Sequence, residues 1–327
     1  MMNPRTPRKR SRRARTEAPG PGLYDALESW LTRSRLPVAV FACLVATTTG
    51  VAAEDLAEKL RSVRPALATS PFGRPLLLES SEVNGQVHGR VVALVDHPIA
   101  ALRAGLDTPT EWCEVLILHL NVKSCVASLP GASKSVALLL GRKGAEEGDG
   151  SHAIDFQFEV GESREQRFSV EMRAASGPLG TTDYRLSLKA IPVGARSSFL
   201  RFSYAYSYGT AARLAMSTYL GTLGRDKVGF STTAPAGTGK PVYVGGLRGI
   251  LERNTMRYFL AIETYLASAA QPAMKRPGWR LRTWFDATER YARQLHELSK
   301  ADYLAGKQAQ LSSRVSDPRV FSGASPA

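Results

Sequence analysis

Between residues 153 and 208 the chain alternates apolar and polar side chains with a period of two, four times over. Ile154, Phe156, Phe158 and Val160 alternate with Asp155, Gln157 and Glu159, and Phe168, Val170 and Met172 with Arg167, Ser169, Glu171 and Arg173. Tyr184, Leu186 and Leu188 alternate with Arg185, Ser187 and Lys189. Leu200, Phe202, Tyr204, Tyr206 and Tyr208 do the same with Arg201, Ser203 and Ser207. Successive side chains of a strand point to opposite faces. Each segment therefore has one dry face and one wet face, and four in a row predict an antiparallel sheet whose dry side must be covered.

The same reading extends outward from these four. Residues 76–82 and 87–95 form a predicted hairpin around Asn84-Gly85, a dipeptide suited to a tight type I′ turn. Further strands are predicted at about 119–127, 134–141, 153–160, 166–175, 182–192 and 197–208. Pro98, Ile99, Leu102 and Leu106 give a short helix before Pro109. Trp112 to Leu118 is either a second helix or the start of a strand. Three later helices are the natural cover for the sheet. The first is residues 209–222. The second spans about 22 residues and carries the stripe Leu247, Ile250, Leu251, Tyr258, Phe259, Ile262, Tyr265 and Leu266. The third runs from Trp279 to about Gly306, with Asp286–Arg290 and Glu289–Arg293 as i,i+4 pairs. Arg248, Glu252, Arg253 and Arg257 are expected on an exposed helix face.

A hairpin, a short helix, six antiparallel strands and then a C-terminal helix resembles the helix-grip fold of the StAR-related lipid-transfer (START) and polyketide-cyclase-like superfamily. The resemblance covers residues 74–270 and is one of topology. It implies an α+β fold in which a curved antiparallel sheet grips a C-terminal helix around an apolar cavity for lipids, sterols or other hydrophobic small molecules. The chain adds a long connection at 224–245, a further helix within 271–311, and a tail at 312–327 expected to be disordered. Residues 54–73 are read as a linker or short helix.

The dry-face residues add an argument of their own. Phe156, Phe158, Phe168, Met172, Tyr184, Leu188, Phe202, Tyr204 and Tyr206 are the candidate ligand-binding residues. A core built only to be filled has little use for phenols, each of which wants a hydrogen-bond partner once buried. Several tyrosines on one dry face fit a cavity with a few polar contacts. The alternative is a filled core whose tyrosines reach its rim.

Charge and cysteines bear on location. The formal net charge is +14, and residues 1–53 hold nine basic side chains against three acidic ones. Behind this basic segment come an apolar run at 36–46 and the small residues before Ala53, with Glu54 next. That is the order of a secretory signal cleaved between Ala53 and Glu54, and the run is shorter than the ~20 residues that a membrane-spanning helix needs. The expectation is export to the periplasm or beyond. An uncleaved signal left as an inner-membrane anchor is the alternative. Export takes Cys113 and Cys125 into an oxidising compartment, where a disulfide between them is expected. Closing that short loop would stabilise the fold by about 2–3 kcal/mol. With three cysteines and 43% hydrophobic residues, the chain is neither a disulfide-built miniprotein nor a disordered segment.

No chemical motif survives inspection. Ala234–Lys240 lacks the first glycine of a phosphate loop and has Pro241 where Ser or Thr would hold magnesium. His296-Glu297 has Lys300 where a zinc protease needs its second histidine. The five histidines lack ligand spacing, and no Gly-x-Ser-x-Gly elbow occurs. No metal, cofactor or catalytic residue is expected. The expected partners are a hydrophobic small molecule or lipid and an anionic membrane surface, and nucleic acid is not among them. Two other readings stay open. One is an enzyme on a hydrophobic substrate, marked by a carboxylate or histidine facing the cavity. The other is an envelope interaction protein with a filled core.

Overall fold

The computed structural model describes residues 55–128, 133–141, 151–210, 213, 227–233 and 241–316. The chain divides into two units, Met1–Ala52 and Ala53–Ala327, and every element below belongs to the second. The predicted signal, the Ala53–Glu54 junction, most of the helix at 209–222, the loop at 234–240 and residues 317–327 lie outside the described residues.

All eight predicted strands are present in one antiparallel sheet: β1 (Leu76–Val83), β2 (Gln86–Val95), β3 (Val122–Ala127), β4 (Ser135–Leu140), β5 (His152–Arg164), β6 (Arg167–Ser176), β7 (Thr181–Pro192) and β8 (Ser198–Tyr208). Their order is β1-β2-β8-β7-β6-β5-β4-β3. The first hairpin thus pairs with the last strand, and β3 forms the far edge. Asn84 and Gly85 both have positive φ, as the two central residues of a type I′ turn require. Register shifts interrupt β5–β6 between Val160 and Ser163 and β7–β8 between Thr182 and Arg185. Such irregularities bend strands and increase local twist.

Helices cover the dry face. α2 (Ile99–Leu106) lies against β6 and β7, α3 (Pro109–Leu116) against β3 and β4, and α4 (Gly246–Ala267) across β1, β2 and β8. The stretch from Trp112 therefore begins as helix. A close approach seats α4: a Cβ at Gly89 of β2 would stand 2.3 Å from Thr255 Oγ1, so only glycine lets the helix pack at this distance. The Cys113–Cys125 disulfide is formed, with 5.4 Å between Cα atoms, and ties α3 to β3.

The other face of the sheet is not wholly wet. Residues 56–68 form α1, capped by Asp55, whose side chain accepts from the Ala57 N–H. Its stripe Leu56, Leu60, Val63 and Leu67 is buried on Val92, Ile191 and Phe199, which point outward from β2, β7 and β8. This segment, expected as linker or short helix, is a structural element that shields one end of the outer face.

Two expectations for the C-terminal region are corrected. The single helix expected from 279 to 306 is three: α5 (Arg276–Glu289), a one-turn α6 (Ala292–Leu295) and α7 (Lys300–Ser316). α7 runs past the expected start of the disordered tail at 312. Glu252, Arg253 and Arg257, expected on an exposed face, are buried. One cause explains the break and the burial of Arg253 and Arg257. After α6 the chain turns Glu297 inward, where its carboxylate meets Arg253, Arg257 and Lys227, and an uninterrupted helix would not aim it there. Ser299 then restarts the helix by accepting from the Asp302 N–H at 3.1 Å. The expected i,i+4 pairs are replaced as well: Asp286 pairs with Lys300 at 2.7 Å and Glu289 with His296 at 2.9 Å.

Candidate functional site

All nine predicted lining residues are buried on the helix-covered face. Register places Phe158 opposite Met172, and Leu188 opposite Phe202. The tyrosines gather more tightly. Tyr184 stacks on Tyr206 with centroids 5.3 Å apart, Tyr204 lies 5.8 Å from Tyr206, and Phe156 meets Tyr184 edge-on at 6.4 Å. Phe158, Phe168, Met172 and Leu188 belong to the same core and make no ring contact with this cluster among the described residues.

α4 adds a residue that the strand pattern does not reveal. Tyr258 projects onto the cluster, 5.5 Å from Tyr204 and 6.3 Å from Phe202. Behind it His119, also buried, stacks on the Tyr258 ring at 4.7 Å and 24°. His119 Nδ1 accepts the Asn121 N–H at 3.2 Å, so the neutral ring carries its proton on Nε2.

The hydroxyl groups differ in how they are satisfied. Thr181 Oγ1 donates to the Pro178 carbonyl, so Tyr184 donates to Thr181 at 2.7 Å. Tyr208 donates to Glu82 at 2.5 Å. The hydroxyls of Tyr204, Tyr206 and Tyr258 find no hydrogen-bond partner among the described residues. Burial pushes the ionisation of all three well above the ordinary tyrosine range, and the neighbouring phenols push it further. All three hydroxyls are therefore neutral donors in a largely apolar surrounding.

The one buried carboxylate of α4, Glu252, is fully engaged in structure. It accepts from Ser80 Oγ and from the N–H groups of Phe230 and Ser231, the latter two at 2.6 and 2.9 Å. It fixes the 227–233 segment over the N-terminal half of α4. No group of three or more His, Cys, Asp or Glu that could hold a metal occurs among the described residues.

A concavity of about 620 Å³, away from the tyrosine cluster, opens at the end of the sheet and has no counterpart in the sequence reading. Its walls include Arg74, Leu94, His97, Leu260, Glu263, Thr264 and Ala287. Arg74 and Glu263 form a two-point ion pair across it, one contact being 2.8 Å. Burial lowers the His97 pKa.

Sheet, covering helices and buried cluster together have the layout of a helix grip. The chain has a helix-grip fold. No protein-family model matches it, and no curated protein matches it. Solved structures similar to it include an aromatase/cyclase from Streptomyces, at 9% identity and a TM-score of 0.29 over 38% of this chain and 70% of that one. Norcoclaurine synthase from Thalictrum flavum is similar at 15% identity and a TM-score of 0.30, over 46% and 89%. A major latex-like protein from Panax ginseng is similar at 13% identity and a TM-score of 0.26, over 42% and 93%. Overlap at these scores is partial, and it carries no conclusion about activity.

Proposed function

We propose that this chain is an exported, non-catalytic carrier that holds a hydrophobic small molecule or lipid between its sheet and α4. The observation that carries the reading is the cluster of phenol rings of Tyr184, Tyr204, Tyr206 and Tyr258 on the helix-covered face, where the hydroxyls of the last three have no hydrogen-bond partner among the described residues. None of the three hydroxyls is a sealed, unpaired polar atom, so each keeps access to space that a ligand with acceptor groups could occupy. The rest of the lining, Phe156, Phe202 and their neighbours, suits the apolar body of such a molecule. Export is supported by the basic-apolar-small order of residues 1–53 and by the Cys113–Cys125 disulfide. Cleavage after Ala53 would leave Asp55, the cap of α1, on the mature chain.

An enzyme acting on a hydrophobic substrate is the second reading, and His119 against Tyr258 is the observation in its favour. Titration with a fluorescent fatty acid, whose carboxyl offers acceptors, tests the carrier. The expected result is saturable one-to-one binding that weakens about tenfold in a Tyr204→Phe/Tyr258→Phe variant, in keeping with one or two lost hydrogen bonds. Absence of saturable uptake by fatty-acid and sterol probes alike would sink it. Turnover of the probe that is lost in His119→Gln would favour the enzyme.

A further inference from the structure

The outward face of the sheet sets basic side chains opposite one another, away from the interior site. In register, Lys189 of β7 sits directly opposite Arg201 of β8, and Arg173 of β6 directly opposite Arg185 of β7. Like charges facing each other across strands are destabilising. Between the two pairs lies a third, Ser187 opposite Ser203, and on the far side Ser203 faces Arg90 of β2. Long basic side chains thus flank two hydroxyls on three sides, and Glu171 of β6, opposite Ser187, stands on the fourth. Glu171 pairs with Arg173, and Glu79 with Arg90 and Lys59. Arg185 and Lys189 pair with no carboxylate among the described residues.

Two further observations extend the patch. His88, the β2 neighbour of Arg90 on the same face, has its pKa lowered by burial and then by Arg90 and Arg201, as expected where positive potential accumulates. α1 lies along the border of the patch, because its footing Val92, Ile191 and Phe199 is one outward position along each strand from Arg90, Lys189 and Arg201. Its exposed Arg61 and Arg64 prolong the basic surface.

We infer that this face, the outward side of β2, β8, β7 and β6 with the adjoining α1, docks onto an anionic phospholipid membrane. Four strands at ~4.8 Å spacing make a platform several headgroups wide rather than a pocket for one phosphate. Among the described residues it offers no exposed aromatic ring on which a nucleic-acid base could stack, which disfavours a single-stranded polynucleotide. The inference concerns a surface remote from the tyrosine cluster and stands whether or not the interior takes a ligand.

Co-sedimentation of the protein, as its own cells make it, with vesicles of phosphatidylcholine alone or with about one-third phosphatidylglycerol tests this, because attraction is worth roughly one kcal/mol per basic side chain. The expected result is binding to the anionic vesicles only, lost at high salt. A triple variant, Arg185→Ser, Lys189→Ser and Arg201→Ser, should partition roughly a hundredfold more weakly, by that same increment for each side chain. A charge-matched control, Lys134→Ser, Lys275→Ser and Arg282→Ser, should bind as the unaltered protein does; these three side chains are exposed and form no ion pair among the described residues. The single variant Lys189→Gln should lose several-fold and serves if the triple variant fails to fold. Equal loss in the two triples, undiminished binding by the face triple, or equal binding to uncharged vesicles would overturn the inference. So would retention of single-stranded DNA through the same side chains while anionic vesicles are ignored.

Discussion

Tyr204 and Tyr206 of β8 and Tyr258 of α4 bring three phenol rings together in an interior otherwise made largely of rings and aliphatic chains. Burial holds them neutral far beyond the ordinary pKa of about 10, which has a consequence for stability. A tyrosine whose folded pKa lies above its unfolded value contributes fully below the unfolded value. That contribution is lost as the pH rises, because only the unfolded chain then releases the proton. Stability should therefore be insensitive to these groups up to about pH 10 and fall above it. Ultraviolet titration of tyrosinate should show part of the tyrosines ionising only as the fold is lost, and a single smooth titration near the ordinary value would contradict the burial. Tyr204 and Tyr206 were legible in the sequence because a period of two assigns a face. Tyr258 was legible only as part of a helical stripe, since helix phase does not say which strand a side chain will meet. His119 carried no local signal, for its role depends on a ring more than a hundred residues away.

Among the elements, α4 departs most from its sequence reading. Its length and apolar stripe follow from spacing, yet Glu252, Arg253 and Arg257 read as a solvated face and are buried. Their partners lie far along the chain: Glu252 holds Ser80, Phe230 and Ser231, while Arg253 and Arg257 share Glu297 with Lys227. Pairings of this range leave no periodic trace. The break that delivers Glu297 is invisible for the same reason, because residues 279–306 contain no proline to announce it. Removing one partner of a buried ion pair costs about 3–5 kcal/mol, so Glu297→Ala should lose about that much in urea unfolding and loosen α7 from the body. A loss below about 1 kcal/mol would mean that the cluster is solvated and the pairing incidental. α1 is a comparable case. Its stripe was present in the sequence, but an alternating strand reads as wet on its outer face until Val92, Ile191 and Phe199 are seen to be exceptions.

At the scale of the molecule the two faces of one sheet are put to different uses. The inner face, roofed by α2, α3 and α4, encloses the tyrosine cluster. The outer face is shielded by α1 at one end and carries basic side chains on β2, β8, β7 and β6, with Glu171 of β6 and Asp155 and Glu159 of β5 beyond them. Eight strands and their single antiparallel sheet follow from alternation and one turn dipeptide, and the order β1-β2-β8 follows from the need to bring α4 over the first hairpin and the last strand together. What the interior holds is set by chemistry that the fold only permits, and the measurement that addresses it most directly is native mass spectrometry. Protein purified from its own cells, sprayed intact and then denatured with organic extraction, should carry a discrete adduct that is released on unfolding. Extraction should identify it as a hydrophobic molecule bearing an acceptor group. A bare protein mass in repeated preparations, from cells in which the chain is in use, would contradict the carrier and leave a filled core.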